Sequence, residues 1–468
     1  MSGVLSNPRS GRRAELWLLV LAAAVTTAAL TAVEINQEHP VTWELLVLGA
    51  GYFGLFAAAH SAVRGFAHHA DPLILPCTAL LNGLGLVLIY RLDLANTAQS
   101  PHELVPAGDA PAQVAWTAVG LTMFVAVLWR VPDHRQLGSY TYTAGLLGLF
   151  LLVLPGLLPP SISQVNGAKL WLRLGPLSIQ PGEFAKILVI VFAAGFLIAK
   201  RELFTKAGTR VLGMDLPRAR DLAPLLVAWG LSIGVLALEK ELGASLLYFG
   251  IVLVMLYIAT ERASWLVIGL AFFVGGSGVA VFAFEHVRSR VEVWTDPFAY
   301  QQTSGSQLVE SLFGLSDGGV LGTGLGRGQP ELVPFANTDF ISSTVGEELG
   351  LVGLSAVLLL YFLLFARGLR AALTVRDSFG KLLAGGLAFG LALQVFIVVG
   401  GVTQLFPLTG MTLPFLSYGG SSLLANFVLT ALLLRVSDAA RRPAEVVARS
   451  ERQPPLAEAN TEMVARVR

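Results

Sequence analysis

Apolar stretches about as long as a bilayer is thick recur along nearly the whole chain, and no other feature constrains the fold more. A hydrocarbon core of about 30 Å takes roughly 20 apolar residues per helix. Twelve candidate spans can be read, at 15–34, 43–63, 72–90, 113–132, 140–158, 183–199, 222–238, 242–260, 263–285, 346–366, 381–401 and 421–437. Backbone groups inside lipid need internal partners, and runs of this length meet that need as helices. The expected fold class is therefore an all-α polytopic membrane protein with about twelve transmembrane helices. Composition agrees, with 54% hydrophobic and 13% charged residues, where a soluble domain carries about 25% charged. A soluble enzyme and a disordered regulator are excluded. A formal net charge of +1 offers no polyanion-binding surface, so no nucleic-acid partner is expected. The single cysteine, Cys77, rules out an intramolecular disulfide, a Cys-rich zinc site and an iron–sulfur cluster. The first span is too long for a cleavable signal peptide and lacks a small-residue cleavage site.

Lysine and arginine orient the bundle, because cytoplasmic loops carry them in excess. One side collects Arg9, Arg12, Arg13, Arg64, Arg130 and Arg135, the basic residues of 200–220, Arg262, Arg367, Arg370, Arg376, Lys381 and the C-terminal arginines. The other holds Arg91, Lys169, Arg173, Lys240, Arg288, Arg290 and Arg327. An even span count puts both termini on one side, and this bias makes the cytoplasm the expected side. The expected organisation is a cytoplasmic tail at 1–14, N-terminal helices at 15–132, a core at 140–437 and a disordered cytoplasmic tail at 438–468. Within the core, an extracellular connection at 286–345 exceeds the usual loop length by far. Its Trp294, Phe298, Phe313, Phe335 and Phe340, and the apolar run 308–315, suit a segment folded back on the bundle as re-entrant or interfacial helix. No internal repeat favours an inverted-repeat transporter.

Ionisable residues in or beside spans are costly and point to function. Glu183 and Lys186 share a helix face, as a structural ion pair or as part of a site. Glu239 and Glu241 flank a turn, and Glu241 leads into an apolar helix whose N-terminus favours a carboxylate. Arg91 and Asp93 read as interfacial anchors. Thr338 or Asp339 could cap the following helix, with Glu347 and Glu348 in its first turn. The glycines of 322–328 resemble a phosphate cradle but follow no strand, which excludes a nucleotide loop. They read as a flexible turn or as backbone that can approach a headgroup. The Gly-, Pro- and Ser-rich break at 407–422 must line a cavity or be buried in protein. An amphiphile with an anionic headgroup would suit Lys169, Arg173 and Lys186, with an acid facing a hydroxyl.

Several segments together resemble the SEDS (shape, elongation, division, sporulation) family of RodA-, FtsW- and SpoVE-type proteins. They are Asn166–Gly175 with Gln180–Lys186, Glu239–Ser245, Thr338–Ile341 with Gly346–Gly350, and Pro407–Ser422. The resemblance spans roughly 140–437, and the N-terminal part is similar to actinobacterial RodA proteins. It implies a peptidoglycan glycosyltransferase that polymerises lipid II into β-1,4 glycan strands at the outer face of the plasma membrane. The implied partner is a class B penicillin-binding protein transpeptidase. No cofactor is implied with certainty; a divalent cation, magnesium or manganese, is the one candidate, as help for the departing pyrophosphate. Residue by residue, the resemblance assigns substrate contact to Glu183, Lys186, Glu241, Thr338, Asp339 and Glu347, and to Ser417, Gly419, Gly420 and Ser421 of the last motif.

One position departs from the family pattern. The family's catalytic aspartate precedes a loop glutamine by seven residues; counting back from Gln307 reaches Tyr300. Asp296, four residues earlier and also followed by proline, is the candidate base in a re-threaded loop. Glu310 or Asp317 could substitute, or the chain is a catalytically impaired paralogue that scaffolds its penicillin-binding partner. A tyrosine with a pKa near 10 is a poor base at neutral pH. A lipid II flippase is a further reading, disfavoured because the polar motifs gather on one side.

Overall fold

The computed structural model describes residues 8–99, 108–165, 168–175, 177–201, 209–211, 214–216, 226–227, 230–231, 234–235, 239 and 241–442. Among the described residues, eleven helices are long and apolar enough to cross a membrane. The expected span at 222–238 lies largely outside the described residues. The helices are α1 (Pro8–Asn36), α2 (Trp43–Phe66), α3 (Ile74–Gln99), α4 (Asp109–Arg130), α5 (Thr141–Leu157), the one-turn α6 (Pro160–Ser163) and α7 (Pro181–Ala199). They continue as α8 (Leu242–Thr260), α9 (Ser264–Ala283), α10 (Glu285–Thr295), α11 (Ser306–Gly318), α12 (Ile341–Thr374), α13 (Ser378–Val402) and α14 (Gly420–Arg441). Helix α1 begins inside the stretch read as a 1–14 tail, and α14 runs past 438. Three two-stranded antiparallel hairpins complete the described structure, two of them between α5 and α7. In the second, Arg173 lies opposite Ser178.

Local chemistry sets the helix starts. Both oxygens of Asp93 accept from the first turn of α4, at Asp109 N (3.1 Å) and Ala110 N (2.7 Å). Asp93 is therefore a helix cap, and Arg91 is a buried ion-pair partner; neither is the interfacial anchor the sequence suggested. Pro181 opens α7, where its missing N–H costs nothing. Asp377 caps α13 through Gly380 N at 2.6 Å. Helix α12 starts at Ile341 with Phe340 at its N-cap and no side-chain cap bond. The expected cap from Thr338 or Asp339 is absent because the N-cap position falls on Phe340, and the helix begins a turn earlier than the hydropathy suggested. Glu347 and Glu348 thus lie in its second turn.

Helices α3, α13 and α14 are about four-fifths buried over their apolar windows, against 11% for α9, so the first three form the centre and α9 the rim. Helix α5 packs on α7, α12 on α13, α4 on α14, and α1 on both α2 and α3.

The 286–340 connection folds back on the bundle, and α12 shows why it must. Gly350 interrupts that helix at φ +69°. Backbone groups freed by a break in a span need new partners. The glycine-rich chain supplies them: Leu351 N donates to Gly319 O (3.0 Å) and Val352 N to Val320 O (3.1 Å), while Thr323 N and Gly324 N donate to the carbonyls of Glu347 and Glu348. A Cβ on Gly350 would sit 2.3 Å from Gly322 N. These glycines permit close backbone approach to a broken helix, which neither reading of 322–328 anticipated. Helix α11 lies along α12, and Leu308 packs with Val293, Phe340 and Val402 in a separate small core.

Candidate functional site

Helices α7 and α8 and the segment before α12 all begin at the end of the bundle where this connection folds. Their first turns bring charged side chains together. Lys186 is buried and donates to Glu183 Oε2 (3.0 Å) and Gln394 Oε1 (2.7 Å). Gln394, on α13, donates in turn to Thr412 O at 3.0 Å, so the lysine is coupled to the 407–422 break. Sequence reasoning passed over Gln394, though a glutamine amid an apolar span is itself a signal. Tyr248 of α8 donates to Gly182 O (2.7 Å) and holds the first turns of α7 and α8 together.

Glu241 is the N-cap residue of α8, buried, and makes no cap hydrogen bond. Burial pushes its carboxyl up to about 8; Glu183 and Asp339 add to the rise, and Arg290 and Lys186 oppose it. Glu239, also buried, is driven up to about 9 by burial and then by the negative charge of Glu241. Burial raises Asp339 as well, against Arg290 and a hydrogen bond from Thr338. Glu183, Lys186, Glu241, Arg290 and Asp339 therefore form one interacting group, in which the Glu241 and Asp339 carboxyls are raised above their ordinary values. Arg290 gives no signal in the sequence because it sits on the amphipathic α10 like any loop arginine. Its Nη1 donates to Leu408 O at 2.7 Å, tying α10 to the 407–422 break.

That break is anchored throughout. Ser417 Oγ donates to Thr338 O (2.6 Å) and accepts from Leu413 N (2.8 Å). Tyr418 N donates to Asn337 O at 2.7 Å. Ser421 Oγ accepts from Gln180 N (2.9 Å), just ahead of α7. A Cβ at Gly420 would strike the Trp116 ring. Gly419 precedes α14 as its N-cap. Phe415 is buried at φ +67°, a strained conformation for a bulky residue, and stacks edge-on to Phe427. Strain of this kind gathers where backbone geometry matters for function.

Other candidates lie apart from this group. Glu347 Oε1 accepts from Gln329 N (2.5 Å) and Glu348 Oε1 from Gly326 N (3.2 Å), and Arg91 Nε forms an ion pair with Glu348 Oε1 at 3.2 Å. Arg91 also donates to Gly328 O at 2.8 Å. These carboxylates hold the glycine-rich chain in place. Among the described residues, Lys169 reaches the carbonyls of Gly156 and Leu158, at 3.5 Å each, and Arg173 is exposed on its hairpin. Asp296 is exposed and accepts from Ala299 N (3.2 Å), capping a short turn that contains Tyr300. Tyr300 is half-buried beside the small core around Phe340. Among the described residues, no three His, Cys, Asp or Glu side chains are grouped to hold a metal ion.

The fold and this site define a multi-pass α-helical membrane protein with a buried, mixed-charge cluster at one end. The model of the FtsW/RodA/SpoVE cell cycle protein family matches residues 72–442, and the chain belongs to that family. It is 55% identical over 456 residues to the peptidoglycan glycosyltransferase RodA of Mycobacterium tuberculosis, covering 97% of this chain and 96% of that one. It is 32% identical over 375 residues to the stage V sporulation protein E of Bacillus subtilis, covering 78% and 96%. A chain in a solved peptidoglycan synthase complex, described as coordinating polymerization and crosslinking, superposes with a TM-score of 0.63 at 27% identity. That match covers 80% of this chain and 99% of the other.

Proposed function

We propose that this chain is a peptidoglycan glycosyltransferase that polymerises lipid II at the outer face of the plasma membrane, in cell elongation, beside a class B penicillin-binding protein. The observation that carries the reading is the group of buried Glu183, Lys186 and Glu241 with half-buried Arg290 and Asp339, in a chain similar along nearly its whole length to peptidoglycan glycosyltransferases. The cationic Lys186 and Arg290 suit the phosphates of an undecaprenyl pyrophosphate. Glu241, protonated for much of the time at neutral pH, can donate a hydrogen bond to an anionic oxygen where a carboxylate would repel it. In the reaction a loop carboxylate takes the proton of the acceptor 4-hydroxyl. The oxygen forms a bond to the donor's anomeric carbon, and undecaprenyl pyrophosphate leaves. The arginine-rich end of the bundle then faces the cytoplasm, as do both termini.

A second reading, a scaffold with an impaired site, is favoured by one observation: Asp296 spends an oxygen on a turn cap, and Tyr300 stands at the family position. Polymerisation of labelled lipid II with the penicillin-binding partner, by wild type, Asp296→Ala and Tyr300→Asp, separates the two. Glycan from wild type and none from Asp296→Ala supports Asp296 as the base. A silent wild type that gains activity as Tyr300→Asp establishes the scaffold. A silent wild type with no gain in Tyr300→Asp removes the enzyme reading.

A further inference from the structure

The opposite end of the bundle holds a cavity of about 610 Å³. It lies where α4 and α14 end and where α5 and α13 begin. Four arginines line it, Arg135, Arg376, Arg435 and Arg442, against two lining acids, Asp133 and Asp438. Some of this charge is internally matched. Arg442 makes a two-nitrogen contact with Asp438 Oδ2 (2.9 and 2.7 Å), and Arg135 Nε lies 3.3 Å from Asp377. His69 and His134 also line the space and face the same acids.

Two arginines exceed this matching. Arg435 is 3% exposed; its terminal nitrogens donate to the carbonyls of Phe66 and Leu128, and its Nε has no partner among the described residues. Carbonyls are neutral, so no counter-charge is bonded to the guanidinium; Asp438 and Asp133 act on it only through space. Arg376 is exposed, and none of the described contacts engages it. A buried arginine held by neutral acceptors, beside a free one on a cavity wall, is the arrangement that takes up a phosphate. The level in the membrane fits. Trp129, Tyr140 and Tyr142 are exposed just before and after the 132–135 wall, and such aromatics mark the headgroup layer. Basic pockets between helix ends at that depth hold anionic headgroups.

We propose that this cavity seats the phosphate of an anionic ligand at the membrane interface, apart from the Glu183–Glu241 group at the other end. A phospholipid headgroup and a soluble phosphate share this chemistry. The test is thermal unfolding of the full-length protein in phosphatidylcholine micelles, titrated with phosphatidylglycerol or with orthophosphate. Wild type is compared with the pair Arg376→Ala/Arg435→Gln and with the pair Arg13→Ala/Arg64→Ala, exposed arginines outside the cavity. The expected result is a rise in melting temperature whose midpoint concentration shifts about tenfold or more in the cavity pair and stays put in the other pair. A response to phosphatidylglycerol alone assigns a lipid headgroup, and a response to orthophosphate as well assigns a soluble phosphate source. Equal shifts in both pairs, no shift in the cavity pair, or no response to either ligand overturns the proposal.

Discussion

The two ends of the bundle use the same kinds of side chain to opposite purposes. At the end away from the long connection, Arg441 pairs with Asp71 (2.9 Å), Arg442 with Asp438, and His134 with Asp377 (2.9 Å), so charges staple helix ends together. At the other end, among the described residues, Glu183, Glu241 and Asp339 interact with the cations Lys186 and Arg290, and Glu239 adds a further acid beside Glu241. Paired charges in the first case lower the cost of burial. Acids in excess in the second raise it, and a fold keeps such a group only where something besides stability uses it.

Removing the cation at the crowded end should have the largest effect. Lys186→Met leaves Glu183 and Gln394 facing an apolar side chain. Breaking a buried pair from one side costs about 3–5 kcal/mol, seen as a lower melting temperature in detergent, and lipid II polymerisation should fall ~100-fold or more. Full activity in Lys186→Met would break the contrast between the ends. Next comes Asp377→Ala at the stapled end, which removes the α13 cap and the acceptor for His134. A loss of about 1–2 kcal/mol is expected, with the polymerisation rate of the folded fraction unchanged.

The smallest effect sharpens the contrast most, because the ends respond to pH with opposite sign. Glu239 and Glu241 rise from an ordinary 4.5 to about 9 and about 8. The folded state then holds more protons than the unfolded one, and their contribution to stability is lost as pH climbs from about 4.5 toward 9. Asp377 moves the other way. Burial alone would raise it, but Gly380 N–H, His134 and Arg135 together hold it below its usual 3.8. Its contribution is present above that value and lost as pH falls through the lowered one. Glu241→Gln should flatten the melting-temperature slope between pH 5 and 8, read by unfolding scans at a series of pH values. An unchanged slope would mean that Glu241 titrates normally.

Much of this was legible in the sequence. Length and apolarity alone located the eleven spans seen among the described residues, because a bilayer permits few alternatives to a helix. Glu183, Lys186 and Glu241 stood out as charges placed where charges are expensive. Arg290 and Gln394 entered the group only in three dimensions: contacts between α10 and the 407–422 break, and between α7 and α13, leave no periodic trace. The tasks of Glu347 and Glu348 were hidden for a related reason. Their partners are backbone groups some twenty residues away, brought near by a helix break that hydropathy averages over. Asp93 was misjudged because a cap acting across a separate segment looks, in sequence, like any polar residue at a helix end.

Helix α1 precedes the stretch matched by the family model, yet it is fastened at both ends. Near its start Arg12 bonds to Glu15 and to Ala70 O, and Glu15 meets His60 Nδ1 at 2.7 Å. At its finish Asn36 donates to Leu325 O (2.6 Å), Gln37 to Gly326 O, and Arg327 back to Asn36 (3.0 Å). From Arg12 to Asn36 the helix measures about 36 Å at 1.5 Å per residue. It is a tie rod of fixed length, clamped to the α2–α3 corner at one end and to the glycine-rich chain at the other. One residue inserted midway would turn the far clamp by about 100° and release it, so the rod's length sets where that chain meets the broken helix.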